Sequence, residues 1–315
     1  MINDKIFRTH DELIQLLKLR GIDISSPSDK DYALQVLSQI GYYNLVNGYN
    51  KLFLLNPSSD DDKYKQGTTL KEIHALYQFD KSLRSIFMKY LLSIETHVKS
   101  LISYYFSEQH GHKNYLIYSN FNTSIRNSHN QIPSLIAGIQ SQMASRSSAP
   151  SIEHYLKTYG YVPLWVVNNV LTFGTISKFY RLMNTKERQS VSKSFNLLDN
   201  ELENCLYYLS NVRNFCAHDN RLYCYRSTKP IIDTKYHESL KIQKSDSGEY
   251  ICGKRDLFAA FISMKLLLSK NDIKRMSKDI YRNLGILYNK LSVLTRDDIL
   301  DSMGFPQNWK YIEKL

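Results

Sequence analysis

The chain of 315 residues is 43% hydrophobic and 23% charged, a globular balance that excludes a disordered protein. Its 12 glycines and 7 prolines are few for this length, which argues against a turn-rich all-β fold and for an all-α one. A net charge of +11 suits an acidic partner, most often nucleic acid, with a merely lysine-rich surface as the plain alternative.

Cys205, Cys216, Cys224 and Cys252 form no C-x-x-C pair, so no metal site and no cofactor is expected. Residues 1–10 are polar and charged, unlike a signal peptide, and no apolar run reaches the length of a membrane span. A cytoplasmic protein with free cysteines is the expectation.

Helical periodicity begins at residues 10–20, with Thr9 as N-cap, Leu13, Leu16 and Leu17 as the apolar face, and Gly21 at the end. A second helix is predicted over about 28–40, with Asp29 and Asp31 in the first turn, where the helix dipole favours them. Tyr42, Tyr43, Leu45, Tyr49 and Phe53 follow as a half-buried helical segment whose rings read as core, with stacking on a base as the alternative. Residues 56–69, NPSSDDDKYKQGTT, read as an exposed loop.

A long helix is predicted over about 70–107, with Ile73, Leu76, Leu83, Phe87, Leu91, Ile94, Val98 and Leu101 in one stripe. Asp80, Arg84 and Glu95 intrude on that stripe. Asp80 and Arg84 are i,i+4 neighbours and can pair. Glu95 lies roughly 16 Å further along the axis than Arg84, so its partner must come from elsewhere.

Residues 120–150, rich in Ser and Asn, read as an insertion with one amphipathic piece at 132–143. Ser151 is placed as the cap of a short helix to Tyr159. Pro163 opens another whose buried face combines Trp165, Ile176, Phe179 and Met183. Thr185 caps a short segment through Phe195.

From about Asp199 the chain is helical again, with Leu202, Leu206 and Leu209 on one buried face. At roughly 100° per residue Arg213 falls on the same stripe. An unpaired charge there is very costly. Glu95 is the candidate partner, either holding the guanidinium fork for chemistry or forming a structural ion pair.

The stretch 209–223 reads LSNVRNFCAHDNRLY. His218 sits roughly 140° around a regular helix from Arg213, so one intact helix cannot aim both side chains at one atom. Either the helix ends between them, or the long arginine swings round, or two copies share a cleft. Asp219 and Asn220, poor helix formers and good turn residues, favour an end near His218.

Such a pair suits metal-free RNA cleavage. A histidine can exchange protons with a ribose 2′-hydroxyl or the leaving oxygen. An arginine fork stabilises charge on the phosphate oxygens, and Asn214 can orient either group. The alternative is a histidine drawn to a helix C-terminus by the macrodipole, beside a structural arginine. Asp80, Arg84, Glu95 and Arg221 are the supporting set. Cys216 reads as a small buried hydrophobe.

Residues 225–254 are mixed and polar. The tail over 255–290 reads as two helices, 257–269 and a second capped by Asn271. Between residues 254 and 290 there are nine Lys/Arg against three Asp, the most basic stretch of the chain. Lys254, Arg255, Lys274, Arg275, Lys278 and Arg282 are the candidates to follow an RNA backbone. A solvated helix face is the alternative.

Four ordered stretches carry a family resemblance: GYYNLVNGY at 41–49, LYQFDKSLRSIFMKYLLSIE at 76–95, PLWVVNNVLTFGTISKFY at 163–180 and RNFCAHDNRLY at 213–223. Together they resemble the Abi family of bacterial abortive-infection proteins, of the AbiD/AbiF type. These are similar to the HEPN superfamily of helical ribonucleases, whose signature is Arg, a polar residue, a few more, then His. Cys224 departs from the usual pattern, which shows Asn there.

The resemblance implies a HEPN-like bundle over residues 70–225, with a helical extension at 1–55 and a basic helical region at 226–315 packed on the core. It implies a phage-defence toxin acting as a metal-independent endoribonuclease, with Arg213, Asn214 and His218 catalytic and a small RNA as restraint. The motif occurs once, so a composite site requires a homodimer. A non-catalytic RNA-binding helical module is the competing reading, and a scaffold binding only protein is a third.

Overall fold

The first three α-helices each start at a capping box. In the computed structural model, which describes residues 6–58 and 62–315, Thr9 and Glu12 open α1 (His10–Leu19). Ser26 and Asp29 open α2 (Pro27–Ile40), and Thr69 and Glu72 open α3 (Leu70–His110). Each pairing satisfies orphan N–H groups at both ends of the first turn. α2 begins one residue earlier than expected because Pro27 suits the first helical position. No proline or glycine interrupts α3, which runs 41 residues to Gly111.

Between α2 and α3 the chain is less regular. Tyr43–Asn47 forms a single π-helical turn and Lys51–Phe53 a 3₁₀ turn. The following segment is not the fully exposed loop expected. Tyr64 and Thr68 are buried, and isolated bridges pair Leu54 with Tyr64 and Asp23 with Thr69. Residues 59–61 of that expectation lie outside the described residues.

After α3 come α4 (Ser128–Ser145), α5 (Pro150–Tyr159), α6 (Leu164–Val167), α7 (Phe173–Leu182), α8 (Thr185–Lys193) and α9 (Asp199–Ala217). The stretch expected as an insertion supplies α4, which buries Ile132, Leu135 and Ile139 and packs on α7. α5 starts at Pro150 after Ala149, so Ser151 is not its cap. The segment after Pro163 is two helices, not one, because Val170–Thr172 turn away before α7. Trp165 is therefore 49% exposed, whereas Ile176, Phe179 and Met183 are buried.

The remaining helices are α10 (Lys235–Ser239), α11 (Leu257–Leu267), α12 (Lys270–Tyr288) and α13 (Arg296–Met303). Ser269, not Asn271, caps α12. Among the described residues there are only isolated bridges and no strand, so the fold is all-α. α3 is the axis: α12 and α9 pack along it, and α9 packs in turn on α7, α8 and α11. Leu202, Leu206 and Leu209 of α9 are fully buried, each contributing about 1.5–3 kcal/mol by its burial. Glu72 of α3 also accepts the N–H groups of Ser292 at 2.6 Å and Val293 at 2.9 Å, fastening the chain just after α12.

One close approach depends on a glycine. Asp256 caps α11 by accepting the N–H of Ala259 at 3.0 Å, and it also accepts that of Gly253 at 2.9 Å. Burial pushes its carboxyl up to about 6. Gly304, at φ +72°, ends α13 directly against it, and a Cβ there would lie 2.1 Å from the Asp256 Cγ. Gly304→Ala should therefore lower stability by at least the roughly 1–3 kcal/mol of a strained backbone position. Urea denaturation followed by circular dichroism measures this, and an unchanged midpoint would contradict it.

Candidate active site

The helix carrying the motif is α9, whose buried leucines fix where its C-terminal turn emerges. The helix stops at Ala217 with His218 as its C-cap. Asp219 then adopts a left-handed φ of 58°, which Asp tolerates better than most residues. The N–H of Asn220 reaches back to the Phe215 carbonyl at 3.3 Å, and that of His218 to Asn214 at 3.1 Å. This is a Schellman-type ending with aspartate where glycine is usual. The helix thus ends between Arg213 and His218, as Asp219 and Asn220 lead one to expect.

The turn is held from α3. Arg84 donates from Nη2 to Asp219 Oδ1 at 2.6 Å and from Nη1 to the Asn220 carbonyl at 3.3 Å. Its Nη1 also meets Asp80 Oδ2 at 2.5 Å. Asp80 has no exposed surface. It accepts the N–H groups of Leu222 at 3.2 Å and Tyr223 at 2.6 Å, and the Tyr49 hydroxyl at 2.8 Å. Burial pushes the Asp80 carboxyl up, against the pull of Arg84, Tyr49 and the two N–H groups. Arg221 donates to the Gly48 carbonyl at 2.7 Å, joining the turn to the π-helical segment.

Arg213 lies 3.6 Å through its Nε from Glu95 Oε2, an ion pair longer than a hydrogen bond. The other Glu95 oxygen takes Lys99 Nζ at 2.7 Å, and Lys99 also donates to the Leu171 carbonyl at 2.8 Å. The i,i+4 spacing of Glu95 and Lys99 is the sequence signal for that second partner. The terminal nitrogens of Arg213 make no hydrogen bond to a described residue. They are free to meet an anion while Glu95 steadies the guanidinium.

Arg213 and His218 do not share a cleft within one chain. Arg213 lines a cleft of about 1210 Å³ between α3 and the 165–172 segment, with Lys99, Tyr104, Arg146 and Trp165 on its walls. His218 lines a separate cleft of about 590 Å³ beside the π-helical segment. Asn214 and His218 are both exposed. Cys216, between them in sequence, is buried, and burial pushes its thiol up to about 12, so it stays protonated and unreactive.

Four of the six expected surface cations are placed together. Lys274, Arg275, Lys278 and Arg282 are exposed on α12, whose opposite face buries Ile273, Met276, Ile280 and Leu284. Lys254 does not join them. It is 8% exposed, and its ammonium is bound 2.5 Å from both Asp233 Oδ1 and the Ile231 carbonyl. Arg255 is partly tied down as well, to the Thr228 carbonyl and, at 3.9 Å, to Glu249. The sequence shows that this stretch is basic but not which cations hold a loop closed.

Asp80→Ala leaves Arg84 without its buried partner and two N–H groups without an acceptor. A loss of about 3–5 kcal/mol follows from breaking such a pair. Asp80→Asn, which keeps one acceptor, should lose less. Urea denaturation gives the ranking, and hydrogen exchange should show the amides of Leu222 and Tyr223 losing protection before those of α3. Equal stability of wild type and Asp80→Ala would refute the clamp.

A family model described as Abi-like protein matches residues 35–224. The match runs from within α2, through the π-helical segment and all of α3, to the turn that Asp80 and Arg84 hold. No curated protein and no solved structure shows significant similarity to the chain. No helix among the described residues is long and apolar enough to cross a membrane. With more than half its length matched, the chain belongs to the Abi-like family, a membership that points to abortive-infection defence against phage.

Proposed function

We propose that the protein is a metal-independent endoribonuclease of HEPN type that acts in phage defence. The observation that carries this reading is the end of α9. It presents an exposed histidine, an exposed amide and an arginine whose terminal nitrogens are free, while buried groups hold everything around them. His218 would take the proton of a ribose 2′-hydroxyl or supply one to the departing 5′-oxygen. As the 2′-oxygen bonds to phosphorus, the bond from phosphorus to the 5′-oxygen breaks. The products are a 2′,3′-cyclic phosphate and a 5′-hydroxyl. Arg213 would take the charge on the non-bridging oxygens, with Asn214 assisting.

Because Arg213 and His218 line different clefts of one chain, the reading requires two copies that face each other and complete the site across a twofold axis. The exposed cations of α12 would hold the RNA backbone, either that of a substrate or that of a small RNA keeping the toxin in check.

The experiment is subunit mixing. His218→Ala and Arg213→Ala should each lower cleavage about 10²–10⁴-fold, with His218→Ala keeping its RNA affinity. Mixed and re-paired, the two inactive variants should recover about a quarter of wild-type activity, since half of random dimers are mixed and each contains one intact site. Failure to recover, with an active wild type, rules out the shared site. Unchanged RNA effects in His218→Ala favour a non-catalytic RNA-binding module instead.

A further inference from the structure

The cleft beside His218 has a second wall that the motif does not supply. It comes from the C-terminal end of α2 and the π-helical turn Tyr43–Asn47. That turn is anchored: Leu45 and Val46 are fully buried, Arg221 holds the Gly48 carbonyl, and the Tyr49 hydroxyl reaches Asp80. The rings of Tyr49 and Tyr223 stack with centroids 5.8 Å apart. Asp80 therefore fixes both walls of the cleft, through Tyr49 on one side and the Leu222 and Tyr223 N–H groups on the other.

On this rigid support Tyr43 is 75% exposed, and its ring contacts no aromatic ring or cation of a described residue. Gln39, Asn44 and Asn47 are exposed around it. Asn44 uses only an N–H, toward the Ile40 carbonyl at 3.2 Å, and keeps its carbonyl oxygen free. The side-chain amides of Gln39 and Asn47 bond no described residue. A free aromatic face beside neutral groups that both donate and accept matches an unpaired nucleobase, and the charged groups lining the same cleft, Arg221 and Asp219, are tied to the Gly48 carbonyl and to Arg84. The volume of about 590 Å³ is in the range of sites that take ligands of that size. π-Helical turns are rare and occur often at functional sites.

We infer that this cleft is a nucleobase subsite. Tyr43 stacks on an unpaired base of the RNA next to the phosphate at His218, and Gln39, Asn44 and Asn47 read the base edge. The inference rests on the ribonuclease reading for its substrate, and it makes the segment before α3 the source of sequence preference.

Binding separates the two. Fluorescence anisotropy of labelled single-stranded RNA homopolymers, twelve or so nucleotides long, is recorded on His218→Ala protein, which does not cut. Adding Tyr43→Ala should weaken binding about 5- to 100-fold, the range for one lost stacking partner, and Tyr43→Phe should restore it. In otherwise wild-type protein, Tyr43→Ala should raise KM and shift the positions of cleavage while leaving kcat nearly unchanged. The ring is exposed, so thermal melting should be the same in all three. Equal affinity with and without the ring overturns the subsite even where the wild type cleaves RNA. Weaker binding in a protein that never cleaves upholds the subsite and overturns the ribonuclease reading.

Discussion

The contact between Asp80 and Arg84 is where the structure is most constrained. A carboxylate with no exposed surface must have its acceptor sites filled, and Asp80 fills them from three separate segments: α3 itself, Tyr49 and the turn after α9. The pair is more than a salt bridge within one helix. Removing a partner would leave a charge and backbone N–H groups unpaired in the interior, a larger loss than the pair's own net stabilisation. Together they fix the direction in which the chain leaves α9.

That constraint explains how an exposed histidine can be well placed. His218 makes no side-chain hydrogen bond to a described residue, so nothing at the ring itself holds it. Its position is set by the backbone on either side, by its own N–H bond to Asn214 in α9 and, after it, by the Asn220 N–H bond to Phe215 and the Arg84 contacts with Asp219 and Asn220. Glycine at position 219 would relax the left-handed backbone but would lose the carboxylate that Arg84 holds. Local strain at one residue is exchanged for a tertiary anchor, as happens at sites where position matters more than local preference.

Much of this was legible in the sequence. The stripe on α3, the end of α9 near His218 and the pairing of Asp80 with Arg84 all follow from spacing and turn chemistry. Between distant segments spacing gives little: two charges on buried stripes point Glu95 to Arg213, but the other long-range contacts leave no such mark. Asp80 meets an N–H that lies 142 residues later, and Lys254 is buried by a carboxylate of a preceding loop. Trp165 shows a different limit. Its place in the stripe assumed one helix through 163–183, and the break before α7 turned it outward. Periodicity predicts a buried face only as far as the helix continues.

Arg213 and His218 also show why a short motif underdetermines a site. The same five-residue step that lets both sit at one helix end sends their side chains to separate clefts. One cleft holds a positive fork steadied by Glu95, and the other an imidazole beside exposed amides and an open aromatic face; on the proposed reading each is half of the site. No rotation of the arginine is needed if a second copy brings the halves together. Two identical helix ends meeting about a twofold axis would place the Arg213 of each copy toward the His218 of the other, which is how a motif present once per chain can supply both groups twice. On that reading the site is complete only when two copies meet. Whatever prevents two copies from meeting, an RNA along the α12 cations included, would then keep the protein inactive without touching a catalytic residue.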